Sequence, residues 1–245
     1  EFALWALLMN IAQWLAKTAR LHPQSPALLT GTKVDADYAT FARRAAAVGA
    51  HLVHVHGVMP GDRVALFASN CTQYLECLYA IWWIGAAAIP INAKLHGKEA
   101  AWICSNAEAK LTFLDEDSRN ALLEAKADLP SSMRMMSIES DDYFHAREGK
   151  GEVTPLPREI DDLAWLFYTS GTTGRPKGVM LSHGNLVAMS MCYMTDVDPP
   201  TPDDASLYAA PISHGAGLYN FPHLRMGGRH VVPECGGFEP EEVLA

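Results

Sequence analysis

The sequence has little positive charge, no disulfide framework and no long apolar run, and each absence removes a class of function. Its formal net charge is −9. A nucleic-acid partner would call for a basic stripe, so none is expected. Of the five cysteines, Cys71, Cys77, Cys104, Cys192 and Cys235, no two have C-x-x-C spacing. An odd count in a chain of this size argues for free thiols and a reducing, cytoplasmic setting. The longest internal apolar stretch, residues 78–91, is broken by Gly85 and Pro90. It falls short of the ~20 residues that span a bilayer, so no transmembrane segment is expected. There are no internal repeats and no low-complexity tract.

Several common site signatures are also missing. A P-loop requires a glycine five residues after its first one, and Pro176 stands five after Gly171. Gly215 and Gly217 begin a G-x-G-x-x-G pattern, but Asn220 occupies its last position. His214-Gly-Ala-Gly could pass for the oxyanion loop of a hydrolase. That reading needs a G-x-S-x-G elbow, and neither Ser170 nor Ser213 has the flanking glycines. His51, His54 and His56 lack a companion cysteine or carboxylate cluster in sequence. They read as solvated residues near a helix C-terminus, and no metal site is assigned.

What is present is ordinary globular text, 49% hydrophobic and 19% charged, in which strand and helix patterns alternate. Phe41, Ala45, Val48, Leu52 and Val55 mark an amphipathic helix that Asp37 could cap. Residues 59–62 form a turn and 63–68 a buried strand. Asn70 and Gln73 stand in cap-and-N3 relation to an apolar helix running to Gly85, in which Trp82 and Trp83 fill the core. Strands are expected at 86–91, 111–114, 163–168, 178–181, 205–210 and 229–232, with helices at 97–106 and 184–194 and a loop entering a helix over 215–226. Residues 115–162 read as a surface connection with one short helix or strand. The pattern implies an α/β fold with parallel sheets flanked by helices. Residues 1–8 read as an appended leader ahead of a natural start at Met9. Alternatively they extend a helix face made of Leu4, Leu8, Ile11 and Leu15.

The most informative segment is residues 168–179, Tyr-Thr-Ser-Gly-Thr-Thr-Gly-Arg-Pro-Lys-Gly-Val. Gly171, Gly174 and Gly178 let the backbone bend and turn its N–H groups toward a ligand. The hydroxyls of Thr169, Ser170, Thr172 and Thr173 add donors, and Lys177 adds a full charge. A run of small donors ending in a cation suits a polyphosphate, whose oxygens only accept. Its place after a buried strand is where α/β proteins bind ligands.

This segment resembles the signature loop of the adenylate-forming superfamily, which includes acyl-CoA synthetases and peptide-synthetase adenylation domains. Gly57-Val58, Pro60-Gly61-Asp62-Arg63, Asn70, Gly85-Ala86, Pro90-Ile91-Asn92 and Asp162 follow the family's order upstream. The resemblance implies the large N-terminal domain of that fold over residues 9–245, with mixed, mostly parallel sheets. It implies ATP, Mg2+ and coenzyme A as reactants, with triphosphate contacts from Thr169, Ser170, Gly171, Thr172, Thr173, Gly174 and Lys177. A carboxylate would attack the α-phosphorus of ATP, and a thiol would then take the acyl group.

Pro211-Ile-Ser-His214-Gly-Ala-Gly217 resembles the family's next motif, where an aromatic or His gates the carboxylate pocket. Amino-acid-activating members usually place Phe-Asp here, and this chain has no Asp near His214. The resemblance therefore favours an uncharged tail, that of a fatty or other acyl or aryl acid, in a pocket lined by His214, Gly215 and Gly217, although the glycines could equally serve a turn. Lys177, Thr172 and His214 are the implied catalytic residues. An amino- or aryl-acid-activating domain remains an alternative, as does a non-catalytic nucleotide-binding module. The family's later motifs, a Tyr-Gly-x-Thr-Glu segment and a ribose-binding Asp, find no match after Val232. The domain is expected to be incomplete and, by itself, inactive in adenylation.

Overall fold

The computed structural model describes residues 9–169 and 176–244. Its framework is a six-stranded sheet and a four-stranded sheet. The first contains β3 (Arg63–Ala68), β4 (Ala87–Asn92), β5 (Leu111–Leu114), β6 (Arg134–Ser137), β7 (Leu163–Thr169) and β8 (Lys177–Ser182), in the order β6-β5-β3-β4-β7-β8. All neighbours are parallel except β7 and β8, which form an antiparallel pair. The second contains β1 (Pro26–Thr30), β2 (Lys33–Asp37), β9 (Ala205–Leu207) and β10 (Arg229–Val232), in the order β2-β1-β10-β9. Here only β1 and β2 run antiparallel.

The central strands are apolar at nearly every position because both faces of the larger sheet are covered, as parallel strands require. Alternate side chains go opposite ways. Val64, Leu66 and Ala68 join the larger core with α1 (Gln13–Leu21), α2 (Tyr38–His54) and α3 (Thr72–Trp83). Ala65 and Phe67 join a second core with α4 (Gly97–Asn106) and Leu122 of α5 (Glu116–Glu124). Trp82 and Trp83 are buried in the first core, as expected. Asp37 caps α2 by accepting from the Thr40 N–H at 2.8 Å.

Two expectations need correction. Residues 115–162 are not mainly a loose connection; they hold α5, a short 3-10 turn, β6 and α6 (Asp141–Arg147). Their signal is weak because the elements are short and their outer faces carry mostly charged residues. The second correction is that Asn70 does not cap α3. Cys71 holds the cap position without a side-chain bond, and Asn70 is used elsewhere. Strands β1 and β2 and their hairpin had no clear sequence signal, since β2 (Lys-Val-Asp-Ala-Asp) buries only Ala36. Strand β9 stops at Leu207, three residues short of expectation.

A buried carboxylate joins three helices. Glu76 of α3 is almost wholly buried; it accepts from Tyr143 Oη at 2.7 Å and lies 3.0 Å from Arg44 Nη1 and 3.5 Å from Arg147 Nη1. Those partners come from α2 and α6. Among the described residues no helix is long and apolar enough to cross a membrane.

Candidate functional site

Strands β3 to β7 run parallel, so their C-terminal ends share one edge of the sheet, the usual ligand edge of such folds. Thr169 ends β7 at that edge, and Lys177 begins β8 directly opposite it. The signature segment is therefore the connection of a hairpin with β7 and β8 as its stem. Ser170, Gly171, Thr172, Thr173 and Gly174 lie outside the described residues. Glycines, hydroxyls and few apolar anchors predict from sequence a loop that moves when empty, and that expectation also lies outside the described residues.

The stem has two distinct faces. Tyr168 turns toward α4, where its hydroxyl donates to Asn106 Oδ1 at 2.7 Å and its ring meets Trp102 edge-on. Gly178 belongs to this packing, because a Cβ there would approach the Tyr168 ring to 3.0 Å. Phe167 turns the opposite way and packs on the larger core. Thr169, two residues on, shares the Phe167 face, and directly paired residues also share a face. Phe167, Thr169 and Lys177 thus stand on one side of the hairpin. Both Thr169 and Lys177 are exposed there.

His214 comes to that same side. Its ring stands edge-on to Phe167 with centroids 5.6 Å apart, and Ser213 Oγ lies 3.1 Å from its Nδ1, steadying the ring. The two glycines after it differ in role. Gly217 is buried in the turn that starts α8 (Gly215–Leu218), and a Cβ there would sit 1.8 Å from Ile212 O. Its need is steric. Gly215 is exposed, and a Cβ there would meet nothing within 4 Å, so the space beside it is open.

Asn70 is the residue that sequence reasoning misassigned. It follows β3 at the ligand edge, where its Nδ2 donates to Tyr208 O at 2.8 Å and Ala210 O at 2.9 Å. Its Oδ1 accepts from Ile212 N–H at 2.9 Å. One side chain thus holds the backbone leading into His214 against the larger sheet. A polar residue two positions past a buried strand was the available signal, and the cap pattern obscured it. Phe167, the platform for His214, carried no signal at all.

Upstream motif residues prove to be structural. Asp62 Oδ2 accepts from Met59 N–H at 2.8 Å to close the turn. Gly61 has φ +84°. Asp162 pairs with Arg158 at 2.9 Å, and its carbonyl accepts from the His183 N–H that opens α7 (His183–Cys192). A cavity of about 930 Å³ lies between α1, α2 and residues 149–155, apart from residues 167–169, 176–177 and 211–217. The motifs, and not that cavity, locate this site.

The profile of the AMP-binding enzyme family matches residues 15–244. The chain belongs to this family. It is 32% identical over 238 residues to a feruloyl-CoA synthase of Amycolatopsis sp, covering 96% of this chain and 46% of that protein. It is 34% identical over 148 residues to a crotonobetaine/carnitine–CoA ligase of Salmonella paratyphi B, covering 56% of this chain and 29% of the relative. The chain thus spans about half or less of the curated relatives that it matches. Among solved structures, the inhibitor-bound N-terminal domain of FACL13 from Mycobacterium tuberculosis superposes with a TM-score of 0.84 at 26% identity, over 96% of this chain and 59% of that one. Apo MatB from Rhodopseudomonas palustris gives 0.81 at 28% identity, over 96% of this chain and 46% of that one. The two mixed sheets with flanking helices are therefore the N-terminal domain architecture of adenylate-forming AMP-binding enzymes.

Proposed function

We propose that this chain provides the triphosphate loop and acyl pocket of an AMP-forming acid–thiol ligase acting on an uncharged acyl or aryl acid. The observation that carries this reading is the shared face of the β7–β8 stem. Thr169 and Lys177 at the root of the signature loop, and His214 packed on Phe167, all open to one side. A phosphate chain on the loop and a carboxylate beside His214 would then be neighbours, as attack at the α-phosphorus requires.

In the first step a carboxylate oxygen of the acid bonds to the α-phosphorus and the bond to the bridging oxygen breaks, releasing pyrophosphate. Charge accumulates on the leaving group, and preplaced positive groups and N–H donors lower that barrier. Lys177, the hydroxyls of Thr169, Ser170, Thr172 and Thr173, and the amides of Gly171 and Gly174 take that role. Magnesium offsets phosphate charge when bound, and no ligand for it is assigned in this chain. In the second step the sulfur of coenzyme A attacks the acyl carbonyl, AMP leaves and the thiol proton is released. No residue here is assigned to coenzyme A.

The substrate class rests on His214 and the open space beside Gly215. No carboxylate stands next to His214 in sequence to hold a substrate ammonium. The likeness to a protein described as a feruloyl-CoA synthase supports an acyl or aryl acid over an amino acid. A reducing, cytoplasmic setting suits the five free thiols.

A chimera tests the reading. This chain would be joined to the part of the feruloyl-CoA synthase beyond their match and assayed for ATP- and CoA-dependent thioester formation. Alkanoic or aryl acids should react, and His214→Ala should alter selectivity among them. A chimera that prefers amino acids, or one indifferent to His214, would show the pocket to be misassigned.

A further inference from the structure

The histidines near the end of α2 have a partner that only the fold supplies. We propose that His51, His56 and Asp142 form a binding site for a divalent transition-metal ion of the zinc class, clamping the end of α2 to the start of α6. His51 lies in the last turn of α2. The chain leaves the helix through Val55 and turns back at Gly57, whose φ is +66°. That turn carries His56 to His51, with ring centroids 5.1 Å apart. Asp142, in the first turn of α6, completes the group because Glu76 and its arginines hold the two helices together.

The distances suit one ion. His51 Nε2 and Asp142 Oδ2 are 3.7 Å apart, and one ligand atom from each of the three residues lies within 4.8 Å of the others. Nitrogen and oxygen ligands of a tetrahedral zinc stand about 3.4 Å apart, given bond lengths near 2.1 Å. Small side-chain rotations close the difference.

The nitrogens lack any other use. His51 Nε2 and both ring nitrogens of His56 are shielded from water without a hydrogen-bond partner. Buried polar atoms are normally satisfied, so His51 Nε2 and one ring nitrogen of His56, both unpaired and within 4.8 Å of an Asp142 oxygen, call for a ligand. Carbonyls at the end of α2 also favour a cation there. The Asp142 side chain is 63% exposed, which leaves a fourth position for water, and none of the three residues belongs to the loop or to the His214 motif.

The test is titration of the chelator-stripped chain with Zn2+ by calorimetry and with Co2+ by visible absorption, each variant being checked by circular dichroism. One equivalent should bind, and Zn2+ should raise the melting temperature by several degrees. His51→Gln and His56→Gln should each weaken binding by about tenfold or more. Asp142→Asn, at an exposed position that tolerates substitution, should weaken it too, whereas His54→Gln should not. Absence of saturable binding would overturn the proposal. So would binding that persists in the double variant His51→Gln/His56→Gln, which would place the ion elsewhere, for instance on the exposed Cys192 or Cys235.

Discussion

Single atoms decide several properties of this chain. A Cβ at Gly217 would meet Ile212 O at 1.8 Å, while one at Gly215 would meet nothing. Gly217→Ala should therefore cost about 3 kcal/mol through overpacking, and Gly215→Ala within about 0.5 kcal/mol; urea unfolding of both variants checks the contrast. His183 is the clearest pH-sensitive group. It is buried, accepts from Ile11 N–H at 3.1 Å through Nδ1, and burial pushes its pKa down to about 4. Buried His230 is held at about 3 for the same reason. Both rings stay neutral in the fold and would protonate near pH 6.5 when unfolded. The unfolded state thus binds more protons below that pH. Stability should be full above about pH 6.5 and fall progressively as pH drops toward 4. His183→Asn, which keeps an acceptor for Ile11, should flatten part of that slope in denaturant titrations; an unchanged slope would reject His183 as its source. At Lys177, replacement by Ala in the active chimera should reduce ATP use by about 10²-fold with little effect on the acid's KM. Equal effects on both substrates would remove Lys177 from the phosphate site.

At the scale of elements, two polar side chains join parts far apart in sequence. Asn70 ties the end of β3 to residues 208–212 with three hydrogen bonds. Asn70→Leu leaves those groups unpaired, which should cost about 2–4 kcal/mol. It should also speed amide exchange at Ile212 more than in α3, a difference that a mere cap would not produce. Glu76 joins α2, α3 and α6. Glu76→Ala leaves Arg44 and Arg147 only the half-exposed Glu148 as a carboxylate partner, with an expected loss of about 3 kcal/mol. The elements legible in the sequence were those with strong burial. Residues 64–68 are a continuous apolar run and 111–114 one broken only by Thr112, and α2 has an apolar stripe and an Asp cap. Elements 116–124, 134–137 and 141–147 are short and half exposed, so their periodicity hardly exceeds that of a loop. The Asn70–Gln73 pattern misled for a related reason: a cap motif is local, whereas the bonds Asn70 makes reach about 140 residues along the chain.

For the molecule as a whole, the chain covers about half of the relatives that it matches, and none of its residues is assigned to the α-phosphate or the ribose. We therefore expect the 245-residue chain to bind ATP weakly without catalysing acid-dependent exchange of labelled pyrophosphate into ATP. Loss of a single electrostatic contact typically costs about 10²–10³ in rate. Exchange near the rate of the chimera would refute this. The family was readable in the sequence through a resemblance, because its signature loop of glycines, hydroxyls and a lysine is written in consecutive residues. The parallel strands were readable as well, since burial on both faces leaves an unbroken apolar run. Tertiary structure alone decided which face of the β7–β8 stem His214 would share, what Asn70 would hold, and that Asp142 would meet His51 and His56. Those are contacts between segments tens to more than a hundred residues apart, and their geometry follows from how sheets and helices pack, which no local pattern of side chains encodes.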